Sequence, residues 1–232
     1  MGFVLATAGA AVGLGNIWRF PYLAAEYGGG IFLLTYLLLV FSAGFVLVLT
    51  ESALGRMTGS GVLCAYEKIS RKLSFAGYLT FITPLIIFSF YSVVGGWVMF
   101  YALQFIFGNG SLLADSGYFS AFTAEPVIPA VFTLIFIALT AWIVLRGVRR
   151  GIEKTTRLLM PVLLVMLVVL AAYCICMPGG LDGLWYFFYP DFSKFSAELV
   201  LAALGQMFFT LMIGSGVIMT YGSYLRSEEH TS

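Results

Sequence analysis

Charge is what this sequence has least of. Of its 232 residues only 10% are Asp, Glu, Lys or Arg, and His230 is the single histidine. A net charge of +1 gives no footprint for nucleic acid, because the basic residues are distributed by loop and not pooled in one patch. With one histidine, no Ser/His/Asp, Cys/His or metal-ligand cluster can be assembled, which leaves an enzyme without a catalytic residue to name. The three cysteines, Cys64, Cys174 and Cys176, have no metal-ligand spacing and lie in or beside apolar segments, so they read as small buried hydrophobes. The stretch from Met1 to Ala11 lacks the basic region of a signal peptide and does not read as a cleaved leader.

Apolar sequence is what the chain has in excess: 61% of its residues are hydrophobic, and the mean hydropathy is +0.99. A membrane-spanning helix needs about 20 mainly apolar residues. Six runs are read as spans, at 3–25, 30–54, 75–107, 126–145, 158–177 and 198–225, giving an all-α integral membrane protein. The loop after the second run carries Arg56, Lys68, Arg71 and Lys72, and the loop after the fourth carries Arg146, Arg149, Arg150, Lys154 and Arg157. Both are expected inside, whereas 108–125 has no Lys or Arg and 178–197 has only Lys194, so those face outward. This places the N-terminus in the cytoplasm and the protein in the plasma (inner) membrane as a multi-pass chain. In the outer loop 178–197, the aromatic run Trp185 to Tyr189 suits the headgroup level.

The first and sixth runs share a feature: glycine interrupts each near its middle. The first reads Ala8-Gly9-Ala10-Ala11-Val12-Gly13-Leu14-Gly15-Asn16, and the sixth Thr210-Leu211-Met212-Ile213-Gly214-Ser215-Gly216. Non-helical backbone at membrane depth persists only where protein buries it or where it lines a cavity, since each unpaired N–H or C=O costs several kcal/mol. Paired interruptions in two halves of a chain point to a transporter site at the midplane. The alternative is a non-transporting structural or regulatory membrane protein whose glycines only allow close helix packing. Polar residues flanking both breaks favour the site: Asn16 with Thr210 at the midplane, and Arg19 with Gln206 one layer further out. Amide groups near Leu14 and Gly15 can receive a carboxylate at a helix start. Carbonyls near Gly9, Ala11 and Val12, with the side-chain oxygens of Asn16 and Thr210, suit a hard cation such as sodium.

The residues from Ala11 through Gly15, Asn16, Trp18 and Arg19 to Pro21 and Tyr22 resemble the neurotransmitter:sodium symporter family, in the pattern of its bacterial amino-acid members such as the leucine transporter. So do Gly28-Gly29-Gly30, Glu51 to Arg56, Arg146-Gly147 with Gly151-Ile152-Glu153 and Met160-Pro161, and Gly205-Gln206-Met207-Phe208-Phe209-Thr210. The resemblance implies a LeuT-like inverted-repeat fold, interrupted at the midplane in its first and sixth helices. It also implies sodium-coupled amino-acid symport. Ala11, Asn16 and Thr210 fall at the family's first sodium site, and the carbonyls of Gly9 and Val12 at its second. Tyr91 matches the tyrosine that holds the substrate carboxylate, with the Gly15 N–H beside it. Ala11, Leu14, Ile87, Phe209, Met212 and Ser215 would complete the substrate pocket, and Arg19 with Gln206 the outer gate. Tyr36, Gln206 and Thr210 are compatible with chloride.

Gly13 stands where members that carry monoamines have aspartate, so the resemblance favours an amino acid that brings its own carboxylate. Met212 and Ser215 depart from the family pattern in a way that suggests a neutral, bulky or aromatic substrate. Glu51, near the inner end of the second run, is open to two readings: capping and packing beside Ser52, or support of the broken part of the sixth run. Family members have about a dozen spans in two inverted repeats. The chain is therefore expected to hold the first repeat, 1–177, and the opening helix of the second, as a fragment inactive alone, with 226–232 a non-native tail. Oligomeric state is not legible.

Overall fold

The computed structural model describes residues 13, 15–147, 151–152 and 154–228, with side chains as far as Ser223. Gly9, Ala11, Val12 and Leu14 of the expected site lie outside the described residues, as does the tail beyond Glu228. Among the described residues every regular element is a helix, apart from one isolated bridge between Gly29 and Pro190. This follows from an apolar solvent, in which a segment must satisfy its own backbone groups.

The chain forms two compact units, residues 1–81 with 156–232, and residues 82–155. In the first, a π-helical turn Gly15–Arg19 leads into α1, Phe20–Glu26. Pro21 fits the start of α1, where its missing N–H is not needed. After a turn at Gly28 and Gly29, both with positive φ, come α2 (Gly30–Leu39), a second π-helical segment (Val40–Gly44) and α3 (Phe45–Thr58). Next are α4 (Val62–Ile69), a 3-10 turn (Arg71–Leu73) and the 33-residue α5 (Ser74–Ile106), which carries the chain into the second unit. That unit holds α5 from Ile82 onward with α6 (Gly110–Leu113), α7 (Tyr118–Ala124) and α8 (Val127–Leu145). The chain re-enters the first unit along α9 (Lys154–Cys176) and continues through α10 (Gly180–Phe188), α11 (Ala197–Thr210) and α12 (Val217–Glu228).

Leu23, Ala24, Ile31, Phe32, Leu199 and Ala203 form the core of the first unit, where α1, α2 and α11 meet. The Phe20 ring packs edge-on against Phe32 and Tyr36 at 5.6 and 5.1 Å. Below this, α3 and α12 touch backbone to backbone: a Cβ on Gly55 would lie 1.9 Å from the Met219 carbonyl oxygen, and one on Gly222 would lie 2.5 Å from that of Ser52. In the second unit, Gly95 and Gly96 of α5 admit Phe136 and the Thr133 backbone of α8. There Phe100 stacks on Phe122 at 4.5 Å.

Four helical stretches are long and apolar enough to cross a membrane: Gly30–Thr58, Arg71–Ile106, Val127–Leu145 and Lys154–Cys176. None of the apolar window in the last two is buried within the described structure, so their side chains need lipid or another apolar surface against them. This corrects the expectation for the cysteines. Cys64, Cys174 and Cys176 are all exposed on helix surfaces: Cys174 and Cys176 lie on α9, where an apolar residue of a membrane helix need not face a protein core, and Cys64 lies on the short α4 of the loop between two spans.

Candidate functional site where two interrupted helices meet

The sixth run is two helices, α11 and α12, joined through Leu211–Gly216. Positive φ angles at Met212 (52°), Gly214 (77°) and Gly216 (71°) keep the helix from continuing. The freed groups are satisfied locally: the Ile213 N–H donates to the Phe208 carbonyl at 3.1 Å, and the Ser215 N–H to that of Met212 at 3.2 Å. The Ser215 hydroxyl, in a residue only 6% exposed, donates to the Met212 carbonyl at 2.5 Å and accepts from the Val217 N–H at 3.4 Å. Gly214 is anchored from outside the turn, its N–H donating to Glu51 Oε1 at 2.7 Å. Of the two readings of Glu51, this contact is the one that supports the broken helix. Its other oxygen, Oε2, is buried and has no partner among the described residues.

Opposite the end of α11 lies the π-helical turn that opens the described part of the first run. The Thr210 hydroxyl donates to Asn16 Oδ1 at 2.8 Å. Gln206, fully buried, donates through Nε2 to the Gly15 carbonyl and to Thr210 Oγ1, each at 3.2 Å, and lies 3.5 Å from Asn16 Oδ1. One layer out, Arg19 Nη1 donates to Gln206 Oε1 at 3.4 Å, and the guanidinium sits 5.5 Å from the centre of the Phe209 ring. Phe209 lies flush against Gly15, where a Cβ would be 2.1 Å from the ring, so a side chain there would have to displace Phe209. Gly13 closes the turn, its carbonyl accepting from the Asn16 N–H at 3.0 Å.

The structure thus brings Gly15, Asn16, Arg19, Gln206, Phe209 and Thr210 together. Met212 and Ser215 lie in the adjoining turn. Of the residues compatible with chloride, Gln206 and Thr210 are in contact, and Tyr36 is placed by its ring against Phe20. Ile87 and Tyr91, four residues apart on one face of α5, belong to the second unit. Sequence reasoning missed how many groups Gln206 joins. It also missed the π-helical segment in the second run, where a Cβ on Gly44 would lie 2.7 Å from Leu211 Cδ1. Chemically, Asn16 Oδ1 and Thr210 Oγ1 share a proton here. Rotating the hydroxyl would turn both lone pairs onto a common cation.

Residues 1–110 and 127–232 match the model of the Sodium:neurotransmitter symporter family. The uncharacterized sodium-dependent transporter YhdH of Bacillus subtilis is 36% identical over 230 residues, 97% of this chain and 51% of that protein. The sodium- and chloride-dependent GABA transporter 2 of Homo sapiens is 28% identical over 271 residues, 97% of this chain and 44% of its own length. The crystal structure of MhsT in complex with L-phenylalanine superposes with a TM-score of 0.86 at 41% identity, covering 96% of this chain and 52% of MhsT. The chain therefore spans about half the length of the relatives it matches, and it has the LeuT-like fold. The family match over residues 1–110 and 127–232, with sodium-dependent relatives similar over nearly the whole sequence, places this chain in the sodium:neurotransmitter symporter family.

Proposed function

We propose that the full-length protein moves a neutral amino acid with a bulky or aromatic side chain together with sodium, by alternating access across the plasma membrane. The observation that carries the reading is the 2.8 Å contact between Thr210 and Asn16, which joins oxygens from both interrupted helices in one polar cluster. In it, Asn16, Thr210 and the carbonyl of Ala11 hold one sodium, and the carbonyls of Gly9 and Val12 contribute to a second. The substrate carboxylate goes to Tyr91 and the Gly15 N–H, with Leu14, Ile87, Phe209, Met212 and Ser215 around its side chain. Arg19 and Gln206 close the site from outside. MhsT, similar over 96% of this chain, was crystallised with L-phenylalanine, which supports an aromatic amino acid as cargo. The basic loops supply the orientation, with the N-terminus inside.

The test is uptake of labelled L-phenylalanine, L-leucine and GABA into vesicles holding the full-length gene product. An inward sodium gradient should drive accumulation of at least one amino acid, and potassium in its place should not. Replacing chloride by gluconate reads out whether Tyr36, Gln206 and Thr210 serve that anion. Accumulation that ignores sodium would sink the proposal.

A further inference from the structure

The positive charge of the first inner loop takes no part in the site above. From Arg56 to Lys72 the sequence carries four basic residues against one acid, Glu67. Lys68 is held by its own loop, with Nζ donating to the Thr58 carbonyl at 3.1 Å and to Ser60 Oγ. Arg71 and Lys72 differ: both are exposed on the 3-10 turn that precedes α5. Large apolar side chains beside them are exposed as well, with Ile69 at 41%, Leu73 at 43% and Phe75 at 70%. Water stabilises half of that mixture and hydrocarbon the other half. A membrane interface satisfies both, taking Leu73 and Phe75 into the acyl boundary while the cations stay level with the phosphates.

Setting an orientation needs only a count of charges on a loop, with no regard to what stands beside them. Here the two cations are set among exposed apolar anchors, and the outer loop offers a contrast. Its one basic residue, Lys194, places Nζ 5.0 Å from the centre of the Tyr186 ring and so is engaged within the protein. We propose that the strip from Ile69 to Phe75 docks the headgroup phosphate of an anionic phospholipid, with Arg71 and Lys72 as its ligands. This rests on the reading of the chain as membrane-embedded with that loop inside.

The experiment counts lipids retained by the protein when it is released from nanodiscs of equal parts phosphatidylglycerol and phosphatidylcholine into a mass spectrometer. The wild type should retain phosphatidylglycerol preferentially. Arg71→Gln and Lys72→Gln should each lower that preference about fivefold, the value of one cation near an anionic surface. Exchanging the two as Arg71→Lys with Lys72→Arg should keep it, and Lys194→Gln should leave it unchanged. Equal retention of the two lipids by the wild type overturns the proposal, and so does an undiminished preference in the double glutamine variant. Displacement of the lipid by inorganic phosphate would assign the cations to a free anion and likewise overturn it. Lipid counting needs no transport, so its failure would leave the sodium reading standing.

Discussion

Asn16 is the residue whose loss should be felt most. Its Oδ1 accepts from Thr210 and faces Gln206, so the side chain ties the opening turn of the first run to the last turn of α11. Asn16→Ala removes that oxygen and leaves the Thr210 hydroxyl without its acceptor, while the Gln206 amide keeps the Gly15 carbonyl. If Asn16 Oδ1 is a sodium ligand as proposed, losing that charge-assisted contact is about 2 kcal/mol, or roughly thirtyfold in the sodium concentration that half-saturates amino-acid binding. Titrating bound labelled substrate against sodium checks it, and an unshifted midpoint would remove Asn16 from the ion site. Met212 makes a different kind of prediction. It alone among the described non-glycine residues has a positive φ, 52°, where a side chain costs about 1–2 kcal/mol. Met212→Gly and Met212→Ala lose nearly the same side-chain contacts, so their difference isolates the backbone. The glycine variant should be the more stable by about 1 kcal/mol in thermal unfolding. Sequence alone marked the neighbourhood by its glycines. It could not mark Met212, because nothing in a methionine's chemistry announces a left-handed conformation imposed by the residues around it.

The four helices long and apolar enough to cross a membrane were legible because length is a local property. What local sequence did not carry was how a helix departs from regularity. The π-helical segment Val40–Gly44 lies within an unbroken apolar run, and the side chains that meet Gly44, Leu211 and Met207, come from a helix more than 160 residues away in sequence. Likewise, the stretch expected as a loop at 178–197 contains α10, whose Tyr186 hydroxyl donates to the Ala25 carbonyl at 2.9 Å. Aromatic composition suggested the interface and not that anchor. The pairing of α3 with α12 is testable at this scale. With Gly55 facing the Met219 carbonyl and Gly222 facing that of Ser52, a methyl group at either must push two backbones apart. Gly55→Ala or Gly222→Ala should each cost about 3 kcal/mol. Gly183→Ala, with a negative φ and nothing within 4 Å of the added carbon, should be neutral or slightly stabilising by the same thermal unfolding measurement.

At the scale of the whole molecule, the question is how many oxygens the chain brings to each ion. A hard cation takes about six to eight in a protein site. The readings above supply two side-chain oxygens, from Asn16 and Thr210, and the carbonyls of Gly9, Ala11 and Val12, divided between two sodium ions. Those five oxygens are fewer than two hydration shells hold, and the relatives this chain matches are about twice its length. An incomplete shell leaves sodium bound no more tightly than in water, and a gradient cannot drive what does not bind. Produced alone in vesicles, the chain should therefore show no sodium-driven accumulation of L-phenylalanine. The full-length product should accumulate it, and so should this chain when co-produced with a second polypeptide matching the remaining half of a relative such as MhsT. Accumulation by the chain alone would mean that these few oxygens suffice, or that copies of the chain complete one another's sites. Sedimentation of the active species would separate those two outcomes, since only the second requires an oligomer.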